Sequence, residues 1–182
     1  MSEYYYLMSS LPSLSLGSKA PFSMEEFLAL CKGNVSEADY MSLCKGTSGC
    51  EFSRKWDCFY SSFLTELCNQ RRRVHLVAVE AASETDVGIS SVVSQAIAMS
   101  SGDAVTRDPL AAELFLIKFL YGRADEMVGL SQFDQNALFG YQVKLRLLSR
   151  KDEFSALDGK AEYQRLFSNM QSIIFDTSNK LE

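Results

Sequence analysis

Apolar residues recur along this chain at spacings of three and four rather than two, the period of helices packed on a core. The clearest run is Trp56, Phe59, Tyr60, Phe63, Leu64 and Leu67, at i, i+3, i+4, i+7, i+8 and i+11. It predicts a helix beginning after Ser53 whose stripe forms core, continuing through Arg71–Arg73 toward Val79 and Ala82. Asp108-Pro109 starts another, with an N-cap acid before proline at the first helical position. Leu110, Leu114, Ile117 and Leu120 are expected to line its buried face, with Phe115 and Phe119 beside them and Gly122 or Gly129 interrupting. A further helix is expected from about Asp134, with Leu138, Tyr141, Leu145 and Leu148 inside and Gln142, Lys144 and Arg146 on the polar side. The last, from about Gly159, places Tyr163, Leu166, Phe167, Met170, Ile173 and Ile174 on one face.

Shorter elements precede these. Tyr4 to Met8 reads as an extended or short helical segment laid across a helical core, because no second strand candidate follows to pair with it. Leu14, Leu16, Gly17 and Pro21 continue it as an irregular connector. Ser23-Met24-Glu25-Glu26 has capping-box spacing, and the helix it opens closes at Gly33-Asn34. Ser36 opens a second short helix ending near Gly46, so the two form a helical hairpin. Val87, Ile89, Val92, Val93, Ala96 and Ile97 suggest one more helix, although β-branched residues weaken that pattern. Ser100 to Asp103 reads as a loop. The expected fold is all-α, a bundle of short and long antiparallel helices in one domain, 1–182, with 1–100 and 108–182 as its natural subdomains.

Composition narrows the function more than the fold. A net charge of −5 lacks the basic face that nucleic acid demands. The basic cluster Arg71-Arg72-Arg73 is either a solvated helix end, where cations complement the dipole, or a docking point for an acidic partner. Cys31, Cys44, Cys50, Cys58 and Cys68 lack CxxC spacing and are odd in number, which fits reduced thiols better than a disulfide framework or zinc site. The stretch from Leu110 to Tyr121 is too short to span a bilayer, and no signal-peptide pattern opens the chain. A cytoplasmic location follows as the expectation.

Chemistry is sparse. His75 is the single histidine, so any nucleophile–histidine arrangement must use it. Neither a phosphate-binding P-loop nor a dinucleotide-binding glycine motif occurs. Glu25-Glu26 and Asp125-Glu126 are read as acids favoured at helix starts. No cofactor and no metal are expected.

Several segments, in order, resemble a bacterial family of unknown function encoded among the subunits of V-type ATP synthases. Tyr4-Tyr5-Tyr6-Leu7-Met8-Ser9-Ser10-Leu11-Pro12 is similar to its opening signature, and Pro21-Phe22-Ser23-Met24-Glu25-Glu26-Phe27-Leu28 to its first helix start. Trp56 to Leu67 resembles its aromatic-rich helix, and Asp108 to Glu113 its Asp-Pro-Leu-Glu-Ala-Glu block, with Ala111 departing from the acid. Tyr141 to Leu148 resembles its Tyr-x-x-Lys-Leu-x-Leu-Leu helix, while 72–107 departs from the family pattern. The resemblance implies a helical protein similar to a lobe or two of the V-type subunit called C or d, a socket between rotor ring and central stalk. It implies a non-catalytic accessory or stalk subunit in proton or sodium transport. The partners would be stalk and rotor-ring subunits, with the membrane's inner face approached only through the complex.

Tyr4, Tyr5, Tyr6, Arg71, Arg72 and Arg73 are the candidate contact residues, since Tyr and Arg favour interface centres. Packing of the tyrosines on the core is the alternative. Two other functions stay open: a stand-alone cytosolic adaptor with a groove for some other partner, and a cysteine enzyme pairing Cys50 or Cys58 with His75.

Overall fold

The structure, a computed structural model, describes residues 4–46, 49–74, 87–101, 107–154 and 156–178. Its elements are helices: α1 (Tyr5–Ser10), α2 (Met24–Cys31), α3 (Glu37–Lys45), α4 (Glu51–Val74), α5 (Val87–Ser101), α6 (Pro109–Val128), α7 (Gln135–Glu153) and α8 (Ala156–Ser178). Among the described residues there is no strand, so the all-α expectation holds. The path beyond Val74 toward Val79 and Ala82, and His75 itself, lie outside the described residues.

The caps sit where their residue types require. Ser23 accepts from the Glu26 amide at 3.2 Å, and Glu26 accepts in return from the Ser23 amide at 2.7 Å. Ser36 accepts from the Asp39 amide, and Gly46 ends α3 at φ 71°, a left-handed conformation that costs glycine little. Asp108 accepts from the Ala111 amide at 2.8 Å ahead of Pro109. Gly122 does not interrupt α6; Gly129, at φ 59°, ends it. Ser100 and Ser101, expected in a loop, complete α5. Asp125 and Glu126 lie in the last turn of α6, not at a helix start, and pair with Lys144 at 2.9 Å and Arg123 at 2.6 Å.

Residues 1–151 form one compact unit and 152–182 a second. In the first, α5 packs on α6 and α4, and α2 pairs with α3 as a hairpin. Helices α5 and α6, on either side of 102–106, pack on each other. The unit's central element is α7, in which every residue from Ala137 to Gln142 is buried. A helix buried all round must contact neighbours on each side. Tyr141 stacks on Phe27 of α2 at 5.6 Å and donates to the Pro12 carbonyl at 2.9 Å. Asn136 accepts from the Phe52 amide at the start of α4 at 3.0 Å. Gln142, expected on a polar face, is 2% exposed and donates to the Leu43 carbonyl of α3 at 2.8 Å.

In the second unit, α8 begins three residues before the expected Gly159. Its Tyr163, Leu166, Phe167 and Met170 are exposed, and the Tyr163 and Phe167 rings stack at 6.2 Å.

Two glycines inside helices give opposite expectations for one substitution. A Cβ on Gly140 would stand 2.1 Å from Val128 Cγ2, a stiff β-branched group, whereas a Cβ on Gly122 would meet nothing within 4 Å. Overpacking costs about 1–3 kcal/mol, more than the ~1 kcal/mol of helix propensity that alanine recovers. Gly140→Ala should therefore lower the urea midpoint, while Gly122→Ala should raise stability by about 0.5–1 kcal/mol. Equal effects of the two would contradict this packing.

Candidate interaction groove

Helix α4 carries the aromatic stripe read from the sequence, but only part of it is core. Phe52, Trp56, Phe59 and Phe63 are buried, and Phe59 and Phe63 meet Phe119 of α6 at 6.0 and 6.3 Å. Tyr60 and Leu64 are exposed at 37% and 44%, and Leu67 is half-buried. The buried line is completed instead by Glu66 and Gln70.

Those two polar residues lock α4 to α5. Gln70 Nε2 donates to Glu66 Oε1 at 2.6 Å and to the Ser90 carbonyl at 3.1 Å. Ser90 Oγ donates to Glu66 Oε1 at 2.9 Å, and Ser94 Oγ donates to Gln70 Oε1 at 2.8 Å. Among the described residues no buried side-chain polar atom lacks a partner, as a stable buried network requires. Sequence reading missed Glu66 and Gln70. The available signal was their spacing: they continue the 56, 59, 63 series at the next core positions.

About a quarter turn around α4, its other apolar edge faces a groove of about 210 Å³. Tyr60, Leu64 and Leu67 form one wall, Leu116, Ile117 and Leu120 of α6 the other, and Leu147 of α7 contributes to the lining. The expected α6 face is thus shifted: Leu116 is buried, while Leu110 and Leu114 are 40% and 39% exposed. Arg71, Glu113 and Arg150 also line the groove, with Arg150 and Glu113 in an ion pair at 2.6 Å. Phe63 meeting Phe119 and Arg123 standing 5.3 Å over Phe59 show that α4 runs antiparallel to α6. That pairing gathers Arg71 and Glu113 at one end of the groove.

Of the six contact candidates, Arg71 alone lines this groove. Arg72 and Arg73 are exposed beside it in the last described turn of α4. The tyrosines belong to another cluster. Tyr4 is half-buried against the core, and its hydroxyl donates to Asp39 Oδ2. Tyr5 packs its ring on Phe133 at 4.6 Å, and Tyr6 is 75% exposed. Asp39 also receives Gln135 Nε2 and the Ser36 hydroxyl, the latter at 2.6 Å.

Partial burial raises the Asp39 pKa, but the donors Ser36, Tyr4 and Gln135 together outweigh it and hold the carboxyl below its ordinary value. Stabilisation from a lowered acid is present above the unfolded carboxylate pKa and is lost as pH falls through the folded value. Asp39→Asn should therefore be less stable than wild type at neutral pH, and the gap should narrow as pH falls below about 4. A gap that stays constant in acid unfolding curves would remove the carboxylate from this account.

The thiols divide by burial. Cys31 and Cys50 are buried, while Cys44, Cys58 and Cys68 are exposed. Burial pushes the Cys31 thiol up to about 12, with the neighbouring Cys44 adding to the shift. Cys50 Sγ accepts from the Ser53 amide at 3.3 Å and so caps α4; its pairing with His75, and that of Cys58, falls outside the described residues. Under native conditions at neutral pH, a thiol reagent should label Cys44, Cys58 and Cys68 first, with Cys31 reacting only on unfolding. Rapid native labelling of Cys31, read by peptide mass, would show that its pocket opens.

Among the described residues no helix is long and apolar enough to cross a membrane, and no group of three or more His, Cys, Asp or Glu is placed to hold a metal. No family model, curated protein or solved structure matches this chain.

Proposed function

We propose that this chain is a non-catalytic protein-docking subunit, and that its place is in a V-type ATP synthase, near the helical socket between rotor ring and central stalk. The docking part rests on the groove of α4, α6 and α7, whose apolar walls remain open to solvent at Tyr60 and Leu64. Exposed apolar surface of this kind, edged by charge, is characteristic of partner-binding faces. Arg71, Arg72 and Arg73 extend that face, and Tyr6 supplies a separate exposed aromatic.

The V-type setting rests on the ordered motifs of the sequence. Their residues have connected structural tasks: Tyr141 holds the Pro12 carbonyl, Ser23 and Glu26 cap α2, and Asp108 caps α6.

A stand-alone adaptor would use the same groove and differ only in its company. Affinity capture of a tagged chain from native membranes, with sedimentation of the extract, separates the two. V-type stalk or catalytic subunits should co-purify and the chain should sediment with them; a free monomer or dimer with no such subunits would defeat the V-type assignment.

A further inference from the structure

We propose that the α4–α6–α7 groove receives one amphipathic helix from a partner protein, with an acidic side chain seated over Arg71. This deepens the protein-docking reading and rests on it. Along α4 the groove lining runs Tyr60, Leu64, Leu67 and Arg71, spaced four, three and four, and Val74 continues the spacing beyond it. That is the alternation of a coiled-coil seam, which meets a partner helix by knobs-into-holes packing. Phe52, Phe59 and Phe63 occupy the neighbouring core line, so the seam is additional to what the bundle consumes. Val74 is 49% exposed and Leu64 44%, although the spacing places them where helix pairs bury their side chains.

Opposite, Glu113, Ile117 and Leu120 of α6 line the groove at the same four-three spacing, with Leu116 beside them. Two helix edges of matched spacing with a groove between them fit a third helix better than an extended segment, whose side chains repeat every two residues. From residue 60 to 71 the wall is roughly 16 Å long at 1.5 Å per residue, three helical turns.

Charge selects the occupant. Glu113 is engaged by Arg150 at 2.6 Å, whereas Arg71, Arg72 and Arg73 have no ion-pair partner among the described residues. Among the described residues the groove end is thus cationic, on a chain whose net charge is −5. An acidic residue on the incoming helix meets a guanidinium able to bind it bidentately. A basic helix would meet repulsion there.

The test uses the full chain and two fluorescein-labelled 18-residue amphipathic peptides with leucines at four-three spacing, differing only in Glu or Lys where the helix would face Arg71. Anisotropy should show the Glu peptide binding at least tenfold more tightly. Arg71→Glu should reverse the preference, and Leu64→Glu should weaken both peptides by tenfold or more with the helical circular dichroism unchanged. Lys32→Glu, an exposed change at the end of α2 that does not touch the groove lining, should leave both affinities as they are. Equal binding of the two peptides, or a preference untouched by Arg71→Glu, overturns the proposal. So does a dimer of the chain that Leu64→Glu dissociates, since the groove would then hold a second copy. V-type subunits that still co-purify when the peptides fail to discriminate would leave the broader reading standing without this docking chemistry.

Discussion

The compact unit depends on the enclosure of one helix. From Ala137 to Gln142 every residue of α7 is buried, so no side of that stretch reaches water and each side must be matched by a different neighbour. The matches are individually demanding. Gly140 allows Val128 to come closer than any side chain would permit, Gln142 needs the Leu43 carbonyl, and Tyr141 needs both Phe27 and the Pro12 carbonyl. A buried amide without its acceptor costs about 1–3 kcal/mol. These contacts therefore set where α2, α3 and the N-terminal connector lie. Tyr121, donating to the Leu14 carbonyl at 3.0 Å, and Lys151, donating to the Leu16 carbonyl at 3.0 Å, hold the rest of that connector.

With α7 fixed, α4 is left with two kinds of apolar edge. One is used in the core and ends in the Glu66–Gln70–Ser90–Ser94 network, which joins α4 to α5 with directional bonds in place of further apolar packing. Hydrogen bonds constrain the rotation of one helix on another more tightly than interchangeable aliphatic contacts do. That constraint keeps Tyr60, Leu64 and Leu67 turned toward the groove. The polar lock and the open face are consequences of the same helix orientation.

Legibility varied with the range of the interaction. The Ser23 capping box, the Ser36 and Asp108 caps and the Gly46 ending depend on residues within a few positions and could be read directly; for α6 the sequence left Gly122 and Gly129 as alternatives, and of the two only Gly129 adopts a positive φ. Leu138, Tyr141, Leu145 and Leu148 were also readable as core because they repeat with the helical period and all lie inside. The same reasoning failed for Gln142 and Glu66, since an amide or a carboxylate is ordinarily assigned to the solvent side. Their acceptors and donors, Leu43 and Ser90, lie far along the chain. It failed in the other direction for Leu64, Leu110 and Leu114, whose apolar character implied burial that the bundle does not provide.

Taken alone, the order of residues determined the all-helical class, most helix starts and stops, and the net acidic charge, because each follows from local propensity, short-range capping or summed charge. Tertiary structure decided which apolar edges are consumed by the core and which are left over. It also brought Arg71, Glu113 and Arg150 to one groove and separated them from the tyrosines at the N-terminus. A stripe records that a helix has an apolar side; how far that side is covered depends on the rotation and spacing of its neighbours, and those are set by contacts between residues distant in the chain.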